Sequence, residues 1–97
     1  MLSINQKVSI FDSFTELTKK IGKDNVRFNY SFEQTKKQQK NVICQFNIKT
    51  GNGYVCGKYL DSKSQYNLDP RGWINIKNFN EKELKILIKE SISSLSK

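Results

Sequence analysis

The sequence predicts an α+β fold: a two-layer, four-stranded, mainly antiparallel sheet with two helices on one face, in the order α-β-β-β-β-α. Three observations carry that expectation. Apolar residues recur every three or four positions near both ends of the chain, they alternate every second position in the middle, and turn-forming residues separate the alternating runs. The 97 residues fit a single domain over 1–97 with one hydrophobic core.

The first helix is expected over residues 10–21, where Ile10, Phe11, Phe14, Leu17 and Ile21 keep helical spacing. Ser9 serves as its N-cap and Gly22 as its stop, and Lys19, Lys20 and Lys23 gather where positive charge suits the C-terminal end of the helix dipole. Next, Val26, Phe28, Tyr30 and Phe32 alternate with polar residues, the pattern of a strand with one buried face. Residues 34–40 read as a polar loop carrying Lys36, Lys37 and Lys40, and Val42, Cys44, Phe46 and Ile48 then alternate as a second strand.

Gly51-Asn52 suits a two-residue hairpin loop with positive φ at its first position. Pairing Thr50 with Gly53 then sets Ile48 opposite Val55, Phe46 opposite Gly57 and Cys44 opposite Tyr59, with Cys56 facing Asn47 on the other side. In that register the two cysteines point to opposite faces and cannot bridge, as expected in a reducing compartment. Residues 61–72 form a long loop ending in an Asp69-Pro70-Arg71-Gly72 turn. A fourth strand runs over 73–79 with Ile74 and Ile76 on one face. It leads into a helix opened by an Asn80/Glu83 capping box and a Phe79/Leu84 staple, with Leu84, Leu87, Ile88, Ile92 and Leu95 as its apolar stripe.

This register projects Arg27, Asn29, Gln45, Asn47, Lys49, Tyr54, Lys58, Trp73, Asn75 and Lys77 onto the second sheet face. Aromatic rings that stack on bases, amides that bond base edges and cations that attract phosphates are the chemistry of sheets that bind single-stranded nucleic acid. The competing explanation is a solvated face whose aromatics are covered by the 61–72 loop or by a second copy of the chain, as in a homodimer. A second candidate joins Lys36, Lys37 and Lys40 with Lys82, Lys85 and Lys89 on the last helix as a backbone-only phosphate grip. Its competitor is an ordinary solvated surface.

The net charge of +8 favours an anionic partner: nucleic acid or an acidic protein surface. Of 17 basic residues only Arg27 and Arg71 are arginine, and the asparagine and isoleucine content matches an AT-rich genome, so part of the charge has a compositional origin. Lysine suits diffuse attraction, whereas arginine supplies the planar fork for bidentate contacts. No run approaches the roughly 18 apolar residues of a membrane span, and residues 1–20 lack the features of a secretory signal. A cytoplasmic location without a membrane partner is the expectation.

Catalysis finds no support. Histidine is absent, no phosphate-binding glycine loop is present, and the nine acidic residues are dispersed, so no catalytic residue, metal site or cofactor is expected. Asp61 and Asp69 bracket one loop, but each has an ordinary role at a strand end or a turn. The helix, three strands, helix order is shared with double-stranded RNA-binding domains. Their Gly-Pro-x-His turn and lysine-rich helix start are replaced here by Gln34-Thr35-Lys36-Lys37-Gln38-Gln39 and Asn80-Glu81-Lys82-Glu83. Trp73-Ile74-Asn75-Ile76, the acidic helix start and Leu87-Ile88 to Ser91 resemble the end of YjbR-like small α+β domains, a resemblance that covers the C-terminal quarter and implies DNA association. The sequence reading is thus a small basic, non-enzymatic, nucleic-acid-associated module. The alternative is a protein-interaction or inhibitor module of the kind carried by phages and mobile elements.

Overall fold

In the computed structural model, residues 2–61 and 65–97 are described. The elements are α1 (Ile4–Asp12), β1 (Thr18–Ile21), β2 (Arg27–Ser31), β3 (Asn41–Asn47), β4 (Tyr54–Cys56), β5 (Trp73–Asn75) and α2 (Glu81–Ser96). The strands form one open antiparallel sheet ordered β1-β2-β3-β4-β5, five strands where four were expected.

The additional strand comes from the segment read as the end of the first helix. Ser3, not Ser9, caps α1: its hydroxyl accepts from the Gln6 amide at 3.1 Å, while Gln6 Oε1 accepts from the Ser3 amide at 2.8 Å. The helix stops at Asp12, where the Ser13 hydroxyl donates to the Ile10 carbonyl at 2.6 Å. Two turns follow, closed by Phe14 N–H to Phe11 O and Leu17 N–H to Phe14 O. These turns keep Phe14 and Leu17 against the core, so helical spacing persists in the sequence beyond the helix itself. Lys19 and Lys20 are therefore strand residues instead of helix-end cations. The Lys19 ammonium lies 4.7 Å from the Phe28 ring centroid and 3.6 Å from Asp12, and Lys20 lies 3.7 Å from Glu33. All four residues of this edge strand are exposed, and its paired lysines disfavour pairing with another edge.

The β3–β4 register is also corrected. Ile43 pairs with Val55 and Cys44 with Tyr54, so the ladder is displaced by five residues from the expected Ile48 to Val55 pairing. Asn47 causes the displacement. Its Oδ1 accepts from the Lys49 and Thr50 amides at 2.8 and 3.2 Å, and its backbone closes the turn through Gly51 N–H to Asn47 O and Asn47 N–H to Asn52 O. The connection is thus wider than a two-residue loop, although Gly51 does take the expected positive φ, at 76°. A displacement by an odd number of residues reverses faces. Cys44 accordingly lies on the same side of the sheet as Cys56, not opposite it, and both are free thiols.

The remaining elements follow expectation more closely. Asn80 Oδ1 accepts from the Glu83 amide at 2.8 Å and Glu83 Oε1 accepts from the Asn80 amide at 3.0 Å, completing the capping box of α2. The 69–72 turn closes through Gly72 N–H to Asp69 O at 2.9 Å. β5 is shorter than expected, because Asn75 Oδ1 accepts from the Lys77 amide at 2.9 Å and turns the chain. Tyr30, Ile43, Phe46, Val55 and Ile74 point inward from the sheet and join Phe11 of α1 and Leu84, Leu87 and Ile88 of α2 in one core. Phe11 packs edge-on against Phe46, with centroids 5.0 Å apart, and tilted against Tyr30 at 5.3 Å. Among the described residues no helix is long and apolar enough to cross a membrane.

Candidate functional site

The sheet face turned away from this core is set by register. Tyr54 on β4 stands between Cys44 on β3 and Asn75 on β5, and Cys56 stands beside Trp73, alternating with inward Val55 and Ile74. A cleft of about 330 Å³ opens on this outer face. Cys44, Tyr54 and Trp73 form its floor, with Gln45 on one side and the Asp69-Pro70-Arg71 turn as a wall on the other. Gln45 also borders a second hollow of about 320 Å³, lined by Asn29, Arg27 and the Gly22-Lys23-Asp24 turn.

Local chemistry fixes both features. Gln45 takes φ 56° and its amide donates to Asn29 Oδ1 at 2.8 Å. The resulting irregularity puts two residues, Cys44 and Gln45, between inward Ile43 and inward Phe46, so both can contribute to the outer side. The turn wall is equally constrained. Asp69 Oδ1 accepts from the Arg71 amide at 2.8 Å and the Trp73 amide at 2.9 Å, and Gly72 adopts φ 88°. Its carboxylate is thus engaged by backbone amides, while the Arg71 side chain has no ion-pair partner among the described residues. At the other end the Arg27 guanidinium pairs with Asp24 at 3.0 Å. The Val26 and Arg27 amides, together with this guanidinium, hold the Asp24 carboxyl below its usual range. Burial pushes both thiols up, favouring the protonated form of Cys44 and Cys56.

The residues expected from the sequence therefore divide. Arg27, Tyr54 and Trp73 border these two hollows, which share Gln45 as a lining residue, and Lys58 stands beside Gly72 next to the cleft wall. Lys49 lies in the β3–β4 turn, and Lys77 lines a separate groove of about 760 Å³ between Tyr66, Phe79 and the Glu83-Ile86-Glu90 flank of α2. Lys36, Lys37 and Lys40 follow β2, in a loop whose Lys36 amide donates to Leu95 O at 2.8 Å. Lys82, Lys85 and Lys89 lie exposed on α2, in the helix layer on the other side of the sheet, with Lys85 3.8 Å from Glu81. Asp61 pairs with Lys97 at 3.1 Å while Asp69 holds its turn, and among the described residues no group of three His, Cys, Asp or Glu is placed to hold a metal ion.

Cys44 and the Asp69-Pro70-Arg71 wall are the cleft residues that sequence reasoning did not place on this face. Cys44 was assigned to the inner face by the displaced register. Arg71 carried a usable signal, since a Pro-Arg-Gly turn ends one residue before the outward tryptophan and so lines the same cleft as its ring. No family model, curated protein or solved structure matches the chain.

Proposed function

We propose that this protein is a non-enzymatic binding module that holds single-stranded nucleic acid against the outer face of its sheet. The observation that carries the reading is the half-buried pair Tyr54 and Trp73 in a cleft that also holds Arg71 and shares Gln45 with the neighbouring hollow bordered by Arg27. Each ring offers a face on which a base can stack, the Asn29 and Gln45 amides can bond base edges, and Arg27 and Arg71 supply forks for phosphate oxygens. A net charge of +8 raises the rate at which a polyanion is captured. The resemblance of the C-terminal quarter to YjbR-like domains points in the same direction. Both helices pack on the inner face of the sheet, so neither covers the outer one.

A protein partner is the second reading, favoured by a different surface. Ile86 is 43% exposed and lies beside the Tyr66–Phe79 pair, whose rings stack 6.3 Å apart in the groove along α2. Salt separates the two readings, because phosphate contacts weaken steeply as salt rises and an apolar contact does not. The test is anisotropy of labelled single- and double-stranded DNA and RNA at low and physiological salt. Salt-sensitive binding that prefers single strands supports the proposal, and absence of binding at low salt rejects it.

A further inference from the structure

We infer that a strand lying in the outer cleft leaves it past Gly72, and that its next phosphodiester group is held between the ammonium groups of Lys37 and Lys58 over the ring of Tyr59. This rests on the nucleic-acid reading above and adds to it a direction and a phosphate site.

The Lys37 and Lys58 ammonium groups each lie 5.6 Å from the centroid of the same Tyr59 ring. Ring faces attract cations but do not neutralise them, so two like charges share one aromatic support. Neither has a salt bridge among the described residues. A phosphodiester between them supplies the missing counter-charge, and the Tyr59 hydroxyl is a further donor for it.

The site is built in advance. Lys37 belongs to a lysine-rich loop that the sequence alone presents as solvated, yet this loop is tied down at several points. The Lys36 amide donates to Leu95 O at 2.8 Å, the Lys37 amide to Thr35 Oγ1 at 3.1 Å, and the Thr35 hydroxyl to Gln39 O at 3.0 Å. Ordering the backbone beforehand lowers the entropic cost of gripping an anion.

The site also continues the cleft. The β4–β5 ladder runs to Cys56 and Trp73, and Gly57 N–H to Gly72 O at 2.8 Å extends it by one step. Just beyond it Lys58 packs against Gly72, the residue that follows Arg71 in the chain. A Cβ on Gly72 would stand 2.8 Å from Lys58 Cβ, which shows how closely the two segments run. Lys58 thus adjoins the cleft wall through Gly72 and shares Tyr59 with Lys37, carrying the basic track around the sheet end. The α2 lysines lie in the opposite layer and have no place on it.

The test measures affinity for a labelled oligothymidylate as a function of salt, for the unaltered protein and for Lys37→Ala, Lys58→Ala, the double variant and Lys89→Ala. Each phosphate contact contributes about 0.7 to the slope of log affinity against log salt for single strands. The double variant, which removes the phosphate site, is expected to lower the slope by about 0.7 and each single variant by part of that, with Lys89→Ala leaving it unchanged. Binding with an unaltered slope in the double variant overturns the path and leaves the cleft reading standing, whereas no binding by the unaltered protein overturns both. Inorganic phosphate at matched ionic strength is expected not to compete. Competition that depends on Lys37 and Lys58 would mark a free-phosphate pocket and overturn the strand path.

Discussion

The Lys7 ammonium group lies 2.8 Å from the carbonyl oxygen of Gly51 and 3.2 Å from that of Lys77, with 2% of the residue exposed. One buried cation on α1 therefore ties down both the β3–β4 turn and the link into α2. Lys7→Met keeps most of the aliphatic stem but removes the donor. It is expected to destabilise the fold by about 1–3 kcal/mol, the cost of leaving buried carbonyls without a partner, read as a lower urea midpoint. Burial, and secondarily the Lys77 charge, lower the ammonium from its ordinary 10.5. Between the lowered value and 10.5 the unfolded chain holds this proton more firmly than the folded one, so stability rises with pH across that window. The advantage of the unaltered protein over Lys7→Met should accordingly widen as the pH of the denaturation series is raised toward 10.5.

Tyr30 shows the opposite sign at alkaline pH. Its hydroxyl donates to Asp12 Oδ1 at 2.7 Å, and burial followed by this carboxylate pushes the phenol well above its ordinary 10.0. The stability it contributes is complete below 10.0 and is lost as pH rises beyond it, because the unfolded tyrosine ionises first. Tyr30→Phe should cost about 1–2 kcal/mol at neutral pH and show a shallower alkaline loss than the unaltered protein. A loss equally steep in the variant would contradict this assignment.

Gly72 is required by backbone and by space. Its φ of 88° disfavours side chains, and an added Cβ would approach Lys58 Cα to 3.0 Å. Gly72→Ala should lower stability by about 1–3 kcal/mol from strain and overpacking combined. It should also weaken oligonucleotide binding, since the Asp69 turn and Lys58 would have to move apart. Unchanged stability would show that the turn relaxes without cost.

Within the cleft the aromatic contribution should exceed that of the distant lysines. Trp73→Ala is expected to cost about 1–3 kcal/mol of binding, the usual worth of a base stacked on an aromatic side chain, without altering the salt slope. Charge reversal of Lys82 or Lys89 acts only through the long-range field and should produce a smaller loss that vanishes at high salt.

The cysteines give an independent footprint. Cys44 is half-buried on the cleft floor, whereas Cys56 is 2% exposed. Maleimide should modify Cys44 first, and slowly at neutral pH, because burial disfavours its thiolate. A bound oligonucleotide should slow that modification further. Labelling of Cys44 at the same rate with and without ligand would place the strand elsewhere.

Features determined by neighbouring residues were legible in the sequence. The α2 capping box and the Asp69 turn each depend on contacts within a few positions and appear as read, while β2 alternates as far as Tyr30, where a register shift buries Ser31 as well. Features determined by a distant partner were not. Thr18–Ile21 becomes a strand because β2 supplies its hydrogen bonds, although its four exposed residues carry no alternation. The β3–β4 register depends on one asparagine side chain that widens the turn and on the positive φ of Gln45, neither of which leaves a hydrophobic pattern. Lys7 lies ahead of the helix read from the sequence, and its burial depends on the distant Gly51 and Lys77 carbonyls to which it donates. The outer face was nevertheless largely recovered for Asn29, Tyr54, Trp73 and Asn75. The β2 alternation up to Tyr30 and the β5 alternation were correct, and the register error fell on the β3–β4 pair between them.

The most direct measurement of the central claim is the fluorescence of Trp73, the chain's single tryptophan, during titration with oligothymidylate at low salt. Stacking in the cleft predicts saturable quenching that salt reverses and that Tyr54→Ala weakens. Binding detected by a label on the oligonucleotide while Trp73 emission stays unchanged would contradict the account, because the strand would then be held without touching the outer face.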